Sequence, residues 1–292
     1  MTMQALVQVL VSGLLMGLLY ALIAVGLSLI FGLMDVVNFA HGDFLMVAMY
    51  VVFGAWVLTG LDPVLLAPLA VAILFVVGAV TYLGAVRRAI SVSSNAGMVQ
   101  IFVTFGLATL LQGLAQFLFS PDYRSITPSW LASRTIEVGH VFLPLPQLFG
   151  GLVSLAAFGG LFLLMSFTDF GRALEATRED KGAVALVGID SNRVFALGWG
   201  LGAGLVGLAG AILAIFYYIH PQVGASFGLI AYVVVALGGF GSVFGALAAG
   251  LIVGLAEAVA ALLMPPALKS IGIFSLYLAV VFIRPSGLFG RL

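Results

Sequence analysis

Residues 26–50, "GLSLIFGLMDVVNFAHGDFLMVAMY", hold an apolar run, a short polar break and a second apolar run. A bilayer core about 30 Å thick takes about 20 apolar residues per helical crossing. The break "DVVNFAHGD" at 35–43 is too short for a loop between soluble domains and too polar for an uninterrupted helix. It reads as the end of one membrane helix followed by a second that begins inside or beside the membrane. A similar break, "HPQVGASFG" at 220–228, occurs in the second half of the chain. Paired interruptions in two halves mark repeat-built transporters, with the substrate site beside them.

The remainder of the chain supports this. The 292 residues are 63% hydrophobic and only 8% charged, against roughly a quarter charged in ordinary soluble domains. Apolar runs recur near 6–33, 43–60, 64–86, 98–119, 147–168, 194–219, 225–240, 243–264 and 269–284. The expectation is an all-α polytopic membrane protein, one permease-like domain over residues 1–292, with eight or nine crossings, some of them broken or re-entrant. The N-terminus lacks a basic segment and a cleavage site, so its first apolar run is expected to stay as a membrane helix.

Lysine and arginine in short loops set orientation. Arg87, Arg88, Arg172, Arg178, Lys181, Arg193, Arg284 and Arg291 all fit one cytoplasmic side, which leaves 120–146 outside and, with nine crossings, the N-terminus outside. Within that outer segment "RTIEVGHVFLP" alternates around Gly139, which predicts a small β-hairpin near 134–144. Small residues from Gly198 to Gly210 and through "GGFGSVFGALAAGLIVG" predict close helix packing.

The other anomaly is "GRALEATREDKGAVALVGID" at 171–190. Nine of the 22 charged residues fall between Asp169 and Arg193. Thr168 or Asp169 can start a helix, Glu175 with Arg178 and Glu179 with Lys181 can pair along it, and Gly188 can stop the next. The expectation is two short cytoplasmic helices, one charged and one apolar. Ala183, Val184, Leu186 and Val187 would then form an exposed apolar patch rimmed by charge, either a protein interface or part of a solvated loop that fixes topology.

Enzyme signatures are missing. His41, His140 and His220 are too scattered for a His-Glu-x-x-His helix, the Gly-x-Ser-x-Gly match at 224–228 falls in the second polar break without the strand-to-helix setting of a nucleophile elbow, and Lys181 and Lys269, the two lysines, complete no phosphate-binding loop. No cysteine is present, and a net charge of zero offers nothing to nucleic acid. The polar candidates inside apolar sequence are Asn38, His41 and Asp43 in the first break, Ser226 in the second, and Glu257 within "LAEAVAALL". Ionisable groups at membrane depth are costly, and are functional or paired. Asn38 and His41 either line a pathway or satisfy the backbone of a broken helix. Glu257 is either a hydrogen-bonded support or a polar point on the pathway. Helix N-termini at 42–46 and 225–229 would attract a carboxylate.

Four stretches together resemble the permease subunits of bacterial branched-chain amino acid ATP-binding-cassette importers: 26–50 as quoted, "GRALEATREDKGAVALVGIDSNRVFALGWGLGAGLVGLAG", "GASFGLIAYVVVALGGFGSVFGALAAGLIVG" and "FIRPSGLFG". The resemblance spans nearly the whole chain. It implies a bacterial inner-membrane subunit in contact with lipid, partnered by a second related permease chain, two cytoplasmic ATP-binding subunits and a periplasmic binding protein for leucine, isoleucine or valine. ATP and magnesium would be bound by the partner subunits, with no cofactor on this chain. The loop 169–193 would be the coupling segment, with Arg172, Glu175, Arg178, Glu179, Asp180 and Gly188 at its contact. Permeases for urea or short amides are similar to this family too, and an ion-coupled secondary transporter using Asp35, Asp43 and Glu257 is the rival of another class.

Overall fold

A computed structural model describes residues 3–92, 96–127, 129–132, 134–139, 141–265 and 268–290. Its elements are α1 (Met3–Met34), α2 (His41–Thr59), α3 (Pro63–Thr81) continued through a π-turn (Tyr82–Val86) into α4 (Arg87–Val92), and α5 (Ala96–Phe119). A hairpin of β1 (Thr135–Val138) and β2 (Val141–Pro144) leads into α6 (Leu145–Phe167). Then follow α7 (Asp169–Glu179), α8 (Lys181–Leu186), α9 (Ser191–Leu213), α10 (Val223–Gly238), α11 (Val243–Leu263) and α12 (Lys269–Ile283).

Among the described residues seven helices are long and apolar enough to cross a membrane. The other two apolar helices, α10 and α12, have 16 and 15 residues, about 24 and 22 Å at 1.5 Å per residue, short of a full crossing. The expected run at 194–219 ends sooner as helix, at Leu213, because Ala214–Gln222 turns back toward α10.

The ends of the bundle sort cleanly. The N-terminal part of α1 lies against the hairpin, where Gln8 donates to the Phe142 carbonyl and accepts from the Phe142 N–H. The opposite end of α1 meets α7 and the turn before α11, where Ser28 Oγ donates to the Ser242 carbonyl. The N-terminus therefore shares the hairpin end, and the basic loops near α4 and α7 share the other. This is the order of ends that nine alternating segments require, and the positive-inside rule predicts that the basic end is the cytoplasmic one. The expected hairpin forms, with Thr135 opposite Pro144 and Val138 opposite Val141; His140 and Arg291 lie outside the described residues.

The two halves of the bundle run in opposite directions and exchange partners. Helices α1, α2, α3 and α5 run opposite to α9, α10, α11 and α12, respectively. The longest contacts cross between halves, α1 with α11 and α3 with α9. Glycines make those crossings close: a Cβ on Gly250 would lie 2.5 Å from the Ala21 Cβ, and one on Gly78 2.5 Å from the Trp199 carbonyl oxygen. The sequence carries a trace of the relation, since Tyr-Val-Val stands at the same distance from Gly42 (Tyr50–Val52) and from Gly224 (Tyr232–Val234).

Candidate functional site

The first polar break is a re-entry into the membrane. Asp35, at φ 54°, ends α1 in a left-handed turn, with its N–H on the Phe31 carbonyl at 2.8 Å. Residues 36–40 then climb back along the bundle, and α2 starts at His41. His41 Nε2 lies 2.8 Å from the Ile23 carbonyl oxygen. Ile23 is eleven residues from the end of α1, about 16 Å along its axis and close to the middle of a bilayer core.

At that depth α2 meets α10 through backbone. A Cβ on Gly42 would lie 2.1 Å from the Gly224 carbonyl oxygen, and one on Gly224 would lie 2.5 Å from that of Gly42. Only glycine permits this approach, and it joins the half-helices of the two halves at their N-termini. Tyr232 of α10 donates to the Asn38 carbonyl, and Asn38 Oδ1 accepts from the Ala40 N–H at 3.1 Å. Asp43 accepts from Gln112 of α5 at 2.9 Å. Thus Asn38, His41 and Asp43 come together, all buried, in a joint closed by glycine packing. Ser226 is exposed on α10, apart from them, and the first turns of α2 and α10 are packed against each other through Gly42 and Gly224.

Glu257 belongs to a different place. It lies on α11, six residues before the end of that helix and about 9 Å below it. Its two carboxylate oxygens are both used, Oε2 accepting from the Tyr20 hydroxyl of α1 and Oε1 held by Lys269 Nζ at 2.6 Å. Beside them is a cavity of about 390 Å³ lined by residues of α1, α6, α11, the turn after α9 and the start of α12. Tyr20 and Lys269 were not among the residues singled out from the sequence. Lys269 had a signal, as one of two lysines and adjacent in the chain to the helix of an isolated acid; Tyr20 had none, since a tyrosine in an apolar helix reads as packing.

The charged loop folds as two helices. Thr168 is the cap that starts α7, its hydroxyl accepting from the Gly171 N–H at 3.1 Å. Gly171, Leu174 and Thr177 face the bundle. Asp180 separates the helices and caps α8, accepting from Gly182 N–H at 2.7 Å and Ala183 N–H at 3.1 Å. Those N–H groups, Ala183 first, hold its carboxyl below the usual carboxylate value. Gly188, at φ 84°, ends the unit.

Three details differ from expectation. The α7 ion pair joins Arg172 to Asp169, and among the described residues Glu175 and Arg178 form none. Arg178 reaches toward the turn before α11, with Nη2 3.0 Å from where a Gly241 Cβ would be, so it faces its own chain. Val184 is buried, which leaves Ala183, Leu186 and Val187 as the apolar tip, with Leu186 90% and Val187 75% exposed. Glu175 and Glu179 of α7 and Asp180 between the helices are exposed as well.

A membrane bundle of oppositely directed halves with a capped, apolar-tipped helix pair at one end is a transport architecture, and the sequence comparisons say of which kind. The family model described as "Branched-chain amino acid transport system / permease component" matches residues 9–281. The chain belongs to this family. Within the family it is 32% identical to the high-affinity branched-chain amino acid transport system permease protein BraD of Pseudomonas aeruginosa, over 97% of this chain and 95% of that one. It is 30% identical to the corresponding LivH protein of Escherichia coli, over 93% and 91%. A probable LivH permease of Methanocaldococcus jannaschii shares 30% identity over 82% and 76%. No solved structure matches the chain. This permease is a transport component of the membrane, and its polar groups are to be read as parts of a translocation machine.

Proposed function

We propose that the chain is one of two related permease subunits of an ATP-driven importer in a bacterial inner membrane, which carries leucine, isoleucine or valine handed over by a periplasmic binding protein. Two cytoplasmic subunits bind ATP and magnesium, and this chain binds neither. The observation that carries the reading is the α7–α8 pair: an exposed apolar tip, Leu186 and Val187, on the short helix that follows α7, which itself bears the exposed Glu175 and Glu179 and packs against α1, α6 and α9. Exposed apolar groups with a charged rim suit a protein groove, and the charges set its register.

The secondary-transporter rival needs free acids, and the structure leaves it few. Of the three acids it would use, Asp43 is engaged by Gln112, both oxygens of Glu257 are occupied, and Asp35 is exposed at the end of α1. The alternating step is assigned to the Gly42–Gly224 joint, where movement of α10 relative to α2 would part the two halves. The Tyr232–Asn38 hydrogen bond crosses that joint, while His41 ties α2 to α1 and Asp43 ties it to α5.

The test is affinity purification of the tagged permease with its ATP-binding subunits. Leu186→Asp is expected to abolish their recovery while the permease stays monodisperse, because the tip touches nothing in its own chain. Full recovery and normal ATP-driven leucine uptake by Leu186→Asp/Val187→Asp would reject the docking role.

A further inference from the structure

The Glu257–Lys269 pair costs more than it needs to if its role is only to join α11 to α12. Charges in an apolar setting are expensive, and well-packed apolar residues generally replace a buried pair at no loss of stability. Here the pair is also not packed over. It stands on the wall of the 390 Å³ cavity, within the range of about 300–1,000 Å³ usual for small-molecule sites. Lys269 is at the mouth with its side chain 43% exposed, and Glu257 lies behind it at 11%. Glu257 and Lys269 are the charged residues on that wall, and Met16, Phe216 and Ala261 supply an apolar part.

We propose that this cavity is an internal binding site for the zwitterion of an aliphatic α-amino acid, and that Glu257 and Lys269 bind it by exchanging partners. Closed on each other, the two residues leave no charge unpaired. A ligand with adjacent ammonium and carboxylate groups enters as a second pair: its ammonium takes Glu257 Oε1, its carboxylate takes Lys269 Nζ, and the count of paired charges is preserved. A ligand with one charge leaves either Glu257 or Lys269 without a counter-ion. A neutral ligand such as urea gains nothing from either.

Tyr20 has a positioning role. Its hydroxyl holds Oε2, so Glu257 stays in place while Oε1 changes partner. The aliphatic side chain would lie along Met16 and Phe216, and a charged side chain would meet no counter-ion there.

This site rests on the transport reading above, and one experiment separates the two. The assembled permease pair with its ATP-binding subunits is placed in phosphatidylcholine nanodiscs without the binding protein, and L-leucine is titrated by a direct binding assay. Saturable binding is expected, with no competition from leucinamide, which lacks the carboxylate, or from 4-methylpentanoate, which lacks the ammonium. Glu257→Gln and Lys269→Met should weaken leucine by about tenfold or more, and Lys269→Arg should stay within about threefold of the parent. The complex is also tested for ATP-driven leucine uptake with the binding protein present. Uptake without saturable binding, or equal binding by Glu257→Gln, would overturn the site alone. Displacement of leucine by phosphatidylethanolamine added to the disc would make the cavity a lipid-headgroup site and overturn it as well. Absence of leucine uptake by the complete parent system would instead overturn the transport reading.

Discussion

The Gly42–Gly224 joint and the Glu257 cavity are both polar places inside one apolar bundle, and they handle burial in opposite ways. At the joint the contact between helices is main chain against main chain, with Asn38, His41 and Asp43 each hydrogen-bonded beside it, and Gly42 and Gly224 leave no room for a side chain. At the cavity an acid and a base side chain form an ion pair, and space is retained beside them. The difference teaches that polarity at membrane depth does not by itself mark a ligand site. Polar groups packed against backbone hold a broken helix together; charges kept next to a void have something further to meet.

Substitutions can break each half of that contrast. The largest effect is expected from Gly42→Ala, whose methyl would lie 2.1 Å from a backbone oxygen that only a helix shift can move. A loss beyond about 3 kcal/mol, at the upper end for overpacking, should appear in detergent unfolding as a collapse of folded yield. An unchanged midpoint would mean the joint is looser than described. Glu257→Gln comes next. It leaves Lys269 without its partner, and with 43% of the lysine side chain exposed the cost is about 2 kcal/mol, below that of a fully buried pair.

A paired comparison sharpens the contrast further. Tyr20→Phe removes a hydrogen bond to a carboxylate and should cost about 2 kcal/mol, whereas Tyr232→Phe removes one to a carbonyl and should cost about 1 kcal/mol. Equal unfolding midpoints for the two would erase the distinction between the ion-pair cavity and the backbone joint. The smallest effect belongs to neither place and serves as an outside reference. The Asp180 carboxyl has a lowered value in the folded chain, so its contribution is complete above the unfolded value of about 4 and is lost as pH falls through the folded one. Amide exchange at Gly182 and Ala183, corrected for its intrinsic pH dependence, should lose protection on acidification below pH about 4 while α9 keeps it.

Much of this was legible in the sequence because the bilayer imposes a length on each span. The nine apolar runs correspond to helices in the structure, the alternation around Gly139 became the hairpin, and the charge cluster became α7 and α8. Boundaries failed where the backbone turns inside apolar sequence. Hydropathy ran on to residue 219 although α9 ends at Leu213, since Ala214–Ile219 is apolar whether helical or turning. The candidate site was legible by residue type and illegible by grouping. Asn38, His41 and Asp43 share one break and stayed together, but Ser226 turned outward, because a span of four residues covers a full helical turn. Glu257 found Tyr20 and Lys269 through contacts that join α1, α11 and α12, which no spacing rule encodes. Arg178 looked like a surface charge, and only the fold shows that it bends back to Gly241.

The exchange of partners between the halves also governs how the chain can be made. α1 packs along α11 and α3 along α9, so the first half has no complete set of neighbours while it is being synthesised. From the end of α1 at Met34 to the start of α11 at Val243 a ribosome adding about 5–20 residues per second needs roughly 10–40 s. During that time the glycine faces of α1 must wait in the membrane for a helix that does not yet exist. Such long-range pairing makes assembly a late, single event, and a chain cut anywhere before α11 would leave its first helix without its principal mate.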